Sequence, residues 1–155
     1  MECLNEAKFN YTVKSLLHDV ISCLDAATAK EIALKNELKS LVLMTDKGMY
    51  VLHLRGDMYA DLRAVKKFLN VEEAYMASAD NLRSLGVQKG TVSPVIEELW
   101  QLPQLVSEEV LSLDFVSTNN GKLNECIMFK PTELLRHHEL TIGKFAKHKV
   151  LESTA

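Results

Sequence analysis

The chain has 155 residues, a formal net charge of −3 at pH 7, 47% hydrophobic residues and 25% charged residues. This length predicts a single domain, and the charge balance excludes a broadly basic nucleic-acid-binding protein while it allows a local basic patch. No apolar run approaches the ~20 residues of a membrane-spanning helix. The sequence begins with polar and acidic residues and has no signal-peptide pattern there, so we expect a cytoplasmic protein without membrane contact.

The first part of the chain predicts two helices. Apolar residues recur at steps of three and four over residues 12–25, as in an amphipathic helix that Asn10 or Thr12 caps. A second helix is predicted over residues 28–38, where Thr28 and a glutamate three positions later form a capping-box pattern.

The hydrophobic period then changes from that of a helix to that of a strand. Residues 40–44 and 49–54 are apolar strand-like runs, and the Asp46-Lys47-Gly48 turn between them predicts a β-hairpin. Residues 60–69 return to helical spacing, and residues 73–77 predict a short strand.

The middle of the chain predicts a helix followed by short strands. Ser78 caps a helix that Gly86 ends. Residues 95–96 and 104–106 are short apolar strand candidates, and residues 107–109 can begin one helical turn.

The last third of the chain predicts a second hairpin and a final helix. Residues 113–117 and 125–129 are strands joined at Asn119-Asn120-Gly121-Lys122, where Asn and Gly tolerate positive φ angles. Pro131 opens a helix, and the tail from Thr141 has no clear period. This order of elements predicts an α+β fold with a mixed sheet and no second domain.

The three cysteines, Cys3, Cys23 and Cys126, are odd in number and far apart in the sequence. This spacing indicates neither a disulfide framework nor a zinc site. We expect Cys23 and Cys126 to pack as small buried apolar residues, and the sequence predicts no metal ion and no cofactor.

One loop is distinctive because it holds two of the six glycines and one of the three prolines. Gly86, Gly90 and Pro94 cannot continue a helix or sit in a central strand. A loop of this kind can offer main-chain N–H groups to an oxygen-rich ligand. The alternative is an ordinary connection between a helix and a strand.

Two basic features are candidate anion contacts. Lys39 directly precedes an apolar strand, where its ammonium could hold a phosphate or carboxylate in a cleft, and the alternative is a surface lysine. Residues 130–149 carry five basic and two acidic side chains, a local charge of +3. This segment is either an RNA-backbone contact or a solvated terminus.

The sequence contains no HExxH motif, no CxxC pair, no P-loop and no Gly-x-Ser-x-Gly motif. Nothing in it couples a serine and a histidine as nucleophile and base. If the protein is an enzyme, we expect it to act by positioning its substrate and by polarising it with backbone groups.

Four motifs follow each other in order: Lys39-Ser40-Leu41-Val42-Leu43, Arg55-Gly56-Asp57, Ala77-Ser78 and Gly86-x-x-x-Gly90-x-Val92-Ser93-Pro94. In this order the chain resembles the YbaK-like family, which includes the editing domain of bacterial prolyl-tRNA synthetase and free-standing trans-editing relatives. The resemblance covers residues 26–136, through the hairpin at Asn120-Gly121 and the closing Pro131-Thr132-Glu133-Leu134. It predicts an N-terminal helix packed on the domain (1–25), the editing domain (26–136) and a basic C-terminal tail (137–155).

The resemblance implies a mixed, barrel-like sheet surrounded by helices. It implies hydrolysis, without metal or cofactor, of the ester that joins a wrong amino acid to the 3′ end of a tRNA. Lys39 would then lie near the terminal adenosine and its phosphate, and Gly86 and Gly90 would belong to a loop whose amides surround the aminoacyl carbonyl. The remaining implied substrate contacts are Val87, Thr91, Val92, Ser93 and Pro94. The implied partners are aminoacyl-tRNA and prolyl-tRNA synthetase.

The leading hypothesis is therefore a deacylase that edits mischarged tRNA for proline in trans. Alanine is the favoured amino acid, because Arg55-Gly56-Asp57 resembles the alanine-editing branch, and cysteine and serine are the other candidates. The chain departs from the family pattern at Val95-Ile96, where Phe-Gly is frequent, and at Ser107, where aspartate is frequent. These departures motivate the alternative of a non-catalytic module that binds tRNA or a synthetase. A general small-molecule ester hydrolase is a third hypothesis.

Overall fold

A computed structural model describes residues 11–16, 19–20, 22–88, 90–137 and 139–148. The described residues form four α-helices: α1 (Cys23–Lys30), α2 (Leu62–Leu69), α3 (Ala79–Ser84) and α4 (Thr132–His137). They also form ten strands: β1 (Thr12–Ser15), β2 (Leu38–Thr45), β3 (Gly48–Arg55), β4 (Met58–Ala60), β5 (Ala74–Met76), β6 (Gln104–Ser107), β7 (Val116–Asn119), β8 (Glu125–Phe129), β9 (Leu140–Gly143) and β10 (Ala146–His148).

The central sheet has five strands in the order β5-β2-β3-β6-β9. Strand β2 is antiparallel to both β3 and β5, whereas β3, β6 and β9 are mutually parallel. A second sheet, β1-β8-β7, meets the first at a bridge between Glu37 and Ser117, and β4 pairs with β10. The predicted single-domain α+β fold with a mixed sheet is confirmed.

The β2–β3 hairpin sets the register on which the rest of the site depends. Asp46 and Lys47 form its two-residue turn, and Thr45 pairs with Gly48. Counting back from this turn places Ser40 opposite His53 on the neighbouring strand. The hairpin predicted from the sequence is confirmed, and at its open end β2 is two residues and β3 one residue longer than expected.

The helix that leads into the glycine-rich loop is also confirmed. Ser78 caps α3, and its hydroxyl accepts a hydrogen bond from the Asn81 amide at 3.0 Å. The Asn81 side chain accepts in return from the Ser78 amide at 2.9 Å, which completes a capping box. Gly86 follows the helix with a φ angle of +79°, a conformation that favours glycine.

The helix predicted over residues 12–25 is wrong for Thr12–Ser15, and among the described residues it is present only from Cys23 onwards. Thr12–Ser15 form a strand that pairs with residues 125–128 of β8. The free edge of β8 offers main-chain hydrogen bonds to this segment, and such pairing outweighs a helical apolar stripe. The helix of this region begins only at Cys23, after Ser22, whose hydroxyl accepts from the Asp25 amide at 3.0 Å. The predicted cap Asn10 lies outside the described residues.

The helix predicted over residues 28–38 is also wrong. Thr28 lies inside α1, where its hydroxyl donates to the Leu24 carbonyl at 2.8 Å instead of capping a new helix. The chain leaves the helix at Glu31, whose φ angle is +58°. A short 3₁₀ turn at Leu34–Asn36 then leads directly into β2.

Three further segments differ from the sequence prediction. Val95 and Ile96 form no strand, and both are buried in the turn that follows the glycine-rich loop. The strand predicted over residues 113–117 is shifted to Val116–Asn119. The tail from Thr141, for which the sequence predicted no element, contributes most of β9 and all of β10. Both strands pair through the backbone with the edges of β6 and β4, and backbone pairing leaves no apolar periodicity in the sequence.

Apolar side chains pack on both faces of the central sheet. Leu43, Leu52 and Leu54 belong to the cluster on one face, and Val42 and Val51 belong to a cluster on the other. Because side chains alternate along a strand, Ser40 and His53 share the face of Val42 and Val51. Among the described residues, no helix is long and apolar enough to cross a membrane.

Candidate active site

The main cavity lies along the open edge of β2. Strand β5 pairs only with residues 43–45 of β2, so the earlier part of β2 faces a cavity of about 700 Å³. This size is typical of sites for small ligands. The residues of the cavity wall that carry polar or loop functions include Lys30, Glu37, Lys39, Ser40, Gly90, Val92 and Asn119.

Lys39 is half-buried in this wall and is held in place by two contacts. Its Nζ donates to the Met58 carbonyl at 2.7 Å and lies 5.3 Å from the centre of the Tyr59 ring. An ammonium group has three hydrogens to donate, and the carbonyl uses one of them. Lys39 therefore retains donors for an anionic group in the cavity.

Lys30 and Glu37 form a buried ion pair in the wall of the same cavity. Lys30 Nζ lies 3.0 and 2.8 Å from the two Glu37 carboxylate oxygens and 2.7 Å from Ser117 Oγ. The two side chains are only 1% and 4% exposed. Burial raises the pKa of Glu37, and the bond from Lys30 opposes part of that rise.

The glycine-rich loop is held against β7 by Asn119. Asn119 Nδ2 donates to the Val92 carbonyl at 3.3 Å and lies 3.5 Å from the Gly90 carbonyl, and its Oδ1 accepts from the Gly121 amide at 2.8 Å. Gly90 itself has a φ angle of +91°, which residues with a side chain rarely adopt. In the sequence, Asn119 is marked only as a hairpin residue, and no local pattern indicates its contact with Val92, 27 residues earlier.

Gly90 and Val92 line the main cavity together with Lys39. Within the described ranges of the chain, neither of their amides donates a hydrogen bond to a protein acceptor. Both N–H groups thus lack a protein acceptor within the described residues, and a role in holding a ligand oxygen stays a prediction.

The rest of the predicted loop residues lie elsewhere. Gly86, Val87 and Thr91 line a second cavity of about 410 Å³. Ser93 and Pro94 line neither cavity: Ser93 Oγ accepts from the Val95 amide at 3.4 Å, and the Pro94 carbonyl accepts from the Trp100 indole. The structure thus brings only Gly90 and Val92 of the predicted loop set to the cavity of Lys39.

A chain of buried polar side chains crosses the central sheet beside the main cavity. Ser40 Oγ lies 2.7 Å from His53 Nδ1, and His53 Nε2 lies 2.7 Å from Gln104 Oε1. No motif in the sequence couples this serine to this histidine. The two-residue turn at Asp46 and Lys47 was the signal for it, because the hairpin register alone puts Ser40 opposite His53.

Part of the predicted basic tail lies beside the cavity. Strand β10 pairs with β4 so that Lys147 is opposite Tyr59, and directly paired residues share one face of a sheet. The Tyr59 ring lines the cavity and is 46% exposed, and the Lys147 side chain is exposed. An aromatic face and a cation thus lie next to each other at the rim.

Cys23 and Cys126 are free thiols that both line the cavity wall. Burial raises the pKa of Cys23 although the nearby Lys39 charge lowers it. Cys126 is 1% exposed, as expected for a small apolar residue, whereas Cys23 is only partly buried. No group of three His, Cys, Asp or Glu side chains within the described residues is placed to hold a metal ion.

The positions that depart from the family pattern lie outside the wall of the main cavity, although Ile96 lines the second one. Val95 and Ile96 are 1% and 2% exposed and pack in the core. Ser107 is fully buried, where its hydroxyl donates to Glu109 Oε1 at 2.5 Å and accepts from the Phe145 amide at 3.3 Å. These residues therefore support the fold around the site.

Three solved structures share this fold. The hypothetical protein APE2540 has a TM-score of 0.80 at 18% identity, over 89% of this chain and 92% of that one. A candidate trans-editing enzyme for prolyl tRNA synthetase has a TM-score of 0.79 at 23% identity, over 88% and 87%. A protein from epitope backbone grafting by computational design onto scaffolds has a TM-score of 0.78 at 21% identity, over 91% and 88%. At these identities the likeness shows the fold alone.

A search of curated proteins found no match to this chain. The family model described as the aminoacyl-tRNA editing domain matches residues 18–137. This range includes Lys39, the glycine-rich loop and the whole hairpin that carries Ser40 and His53. The chain belongs to the aminoacyl-tRNA editing domain family.

Proposed function

We propose that this protein is a deacylase that acts in trans on mischarged aminoacyl-tRNA. One observation supports the proposal: a single cavity is lined by the half-buried cation Lys39 and by Gly90 and Val92, whose amides have no acceptor among the described residues. A cation and oriented amides suit a ligand that combines a phosphate with an ester carbonyl. The 3′ end of an aminoacylated tRNA is such a ligand.

In the proposed reaction the ester carbonyl accepts hydrogen bonds from the Gly90 and Val92 amides. Water adds to the carbonyl carbon, the bond to the ribose 3′ oxygen breaks, and that oxygen takes up a proton. Negative charge develops on the carbonyl oxygen during attack, and removing one donor from sites of this kind costs roughly 3–4 kcal/mol of transition-state stabilisation. Lys39 binds the sugar–phosphate end and keeps the ester in place.

The rim of the cavity suits the last nucleotides of the acceptor end. Tyr59 offers an exposed ring on which the terminal adenine can stack. Lys147 lies across from Tyr59 on β10 and can contact a phosphate further along the strand. This arrangement gives the predicted basic tail a place in tRNA binding.

The wall of the cavity suits a small amino acid side chain. Its aliphatic members include Val42, Leu82 and Val92. We propose alanine as the residue removed, with cysteine and serine as the other candidates. Pockets of this kind separate side chains that differ by one methylene by only about 1–3 kcal/mol, so the assignment needs a direct measurement.

The predicted partner and the predicted location both fit this proposal. Association with prolyl-tRNA synthetase would place the protein where mischarged tRNA for proline is produced, and a cytoplasmic location would place it in the same compartment as that synthetase. Gly86, Val87, Thr91, Ser93 and Pro94 would contribute by fixing the path of the loop that carries Gly90 and Val92.

The test is release of labelled amino acid from tRNA for proline charged separately with alanine, serine, cysteine or proline. We expect the protein to release one non-cognate amino acid, alanine first, and to spare proline. Spontaneous hydrolysis of each ester without protein is the control. No release from any of the four overturns the proposal, and tRNA binding without release supports the alternative of a non-catalytic module.

A further inference from the structure

We infer that the Ser40 hydroxyl is the acceptor that holds the α-ammonium group of the aminoacyl ester. The inference rests on the proposed function, because it assigns one atom of that substrate to one atom of the cavity. Ser40 lines the cavity directly beside Lys39 on β2, and 8% of it is exposed. Its role follows from the direction of the hydrogen bonds that run through His53 to Gln104.

Gln104 determines which atom donates in each hydrogen bond between Ser40, His53 and Gln104. Its amide nitrogen lies 3.0 Å from both the Leu99 and the Leu102 carbonyl, and these two bonds use both of its hydrogens. Its carbonyl oxygen Oε1 therefore faces His53 Nε2 at 2.7 Å. A carbonyl oxygen only accepts, so Nε2 carries the hydrogen of this bond.

The protonation of the His53 ring in turn determines that Ser40 is the donor in its bond to His53. His53 is fully buried, and burial favours the neutral ring over the charged one. A neutral imidazole has a single N–H group, and because Nε2 holds it, Nδ1 is an acceptor. Ser40 Oγ lies 2.7 Å from Nδ1 and donates its only hydrogen there.

The Ser40 hydroxyl therefore offers only lone pairs to the cavity. The main chain of β2 presents acceptors to the same edge, since the Val42 carbonyl turns away from β3 to accept from the Ala77 amide at 2.9 Å. Ser40 lies two residues earlier, so its carbonyl shares this direction. A donor that enters the cavity at this point meets acceptors on both the side chain and the backbone.

The α-ammonium is the strongest donor beside the ester carbonyl of an aminoacyl-tRNA. The carboxylates that line the cavity already accept hydrogen bonds or ion pairs from protein groups: Glu37, Asp57 and Glu125. Ser40 lies beside Lys39 on β2, and its hydroxyl receives no hydrogen bond in the described contacts, so it is the acceptor assigned to this ammonium.

The test uses binding, which needs no ester hydrolysis. The probes are 3′-alanylamino-3′-deoxyadenosine, an amide that resists hydrolysis, and its 3′-propionylamino analogue, which lacks the amino group. We expect the wild-type protein to bind the alanyl analogue about 10- to 100-fold more tightly in calorimetry, the range for a hydrogen bond to a charged group. Ser40→Ala should reduce that preference to less than about 3-fold.

Two further variants separate this role from a structural one. Ser40→Thr keeps the hydroxyl and should keep the preference. Ser78→Ala removes another serine of the cavity wall, whose hydroxyl is engaged by Asn81, and should leave the preference unchanged. Equal loss of affinity for both analogues in Ser40→Ala overturns the inference, as does a wild-type protein that binds both analogues equally or binds neither.

The outcomes also distinguish this inference from the proposed function. A preference for the alanyl analogue that depends on Ser40, in a protein that releases no amino acid from any tRNA, supports the inference and contradicts hydrolysis. Release of amino acid without such a preference contradicts the inference alone.

Discussion

Lys30 and Lys39 both lie in the wall of the main cavity. Protein acceptors take up all the hydrogens of the Lys30 ammonium, whereas the Lys39 ammonium keeps hydrogens that no described protein group accepts. Lys30 gives its hydrogens to both oxygens of Glu37 and to Ser117, and its side chain is 1% exposed. Lys39 gives one hydrogen to the Met58 carbonyl and lies over the Tyr59 ring. Because a buried charge must be paired, Lys30 serves the fold. Lys39 keeps donors that its described contacts do not use, and in the proposed function these hold the ligand.

Among the variants considered, we expect Lys30→Met to have the largest effect on stability. The substitution leaves the buried Glu37 carboxylate without its partner, which lowers the free energy of unfolding by about 3–5 kcal/mol. Urea unfolding followed by circular dichroism measures the loss. The deficit should shrink as the pH falls towards the pKa of Glu37, which burial already raises, because a protonated carboxyl tolerates burial.

The double variant Lys30→Met/Glu37→Leu is the control for this prediction. It removes both charges and should recover most of the stability, because no unpaired carboxylate remains. A single variant Lys30→Met within 1 kcal/mol of the wild type, at the order of magnitude of an exposed ion pair, would contradict the assignment of Lys30 to the fold.

The next largest effect is expected at Gly90. Gly90→Val forces a β-branched residue into a φ angle of +91° and brings its Cβ within 3.4 Å of Leu123. The loop must shift, so we expect turnover to fall about 100-fold or more while the backbone strain costs about 1–3 kcal/mol of stability. Gly48→Val is the matched control, since Gly48 has a φ angle of +124° with no atom near its Cβ position, at the hairpin turn.

Gly48→Val should show a similar loss of stability with full turnover. Full turnover by Gly90→Val would mean that the loop does not polarise the ester.

A moderate effect is expected at Tyr59. Tyr59→Ala removes the exposed ring beside Lys39, and loss of one stacked base costs about 1–3 kcal/mol of binding free energy. The affinity for the tRNA acceptor end, measured by fluorescence anisotropy, should fall accordingly, whereas Tyr59→Phe should keep it. Tyr75→Ala removes an equally exposed tyrosine that lines neither cavity and should bind as the wild type. An equal loss of tRNA affinity in Tyr59→Ala and Tyr75→Ala would contradict stacking of a base on Tyr59.

The smallest effect is expected at Lys147. One phosphate contact fewer should lower tRNA affinity a few-fold and reduce the slope of log affinity against log salt by about 1. Lys67→Ala on α2 is the control, because this exposed lysine lines neither cavity. An unchanged salt slope in Lys147→Ala would remove β10 from the RNA contact.

The sequence predicted those elements whose signals are local. The turn at Asp46 and Lys47, the capping box at Ser78 and the stop at Gly86 all act within a few residues, and each is confirmed. The helix over residues 12–25 failed because the partner of Thr12–Ser15 lies more than 100 residues away on β8. Edge strands take their stability from backbone pairing, which leaves little periodicity to detect.

The candidate site was predictable in part for the same reason. Lys39 and the loop of Gly90 were found through their motifs, and the cavity that joins them was not. Ser40 and His53 are 13 residues apart and meet only through the hairpin register. Asn119 reaches the loop only once β7 is placed beside it. Contacts between distant segments depend on tertiary packing, and no single motif records them.

The most direct test of the account compares the wild type with Lys39→Ala in single-turnover release of alanine from mischarged tRNA for proline. We predict that Lys39→Ala releases alanine about 10- to 100-fold more slowly, the range for loss of a charge-assisted hydrogen bond. Its free energy of unfolding should stay within about 1 kcal/mol of the wild type, because the lysine is only half-buried and unpaired with any carboxylate in the described contacts. Release at the wild-type rate by a folded Lys39→Ala protein would contradict the account.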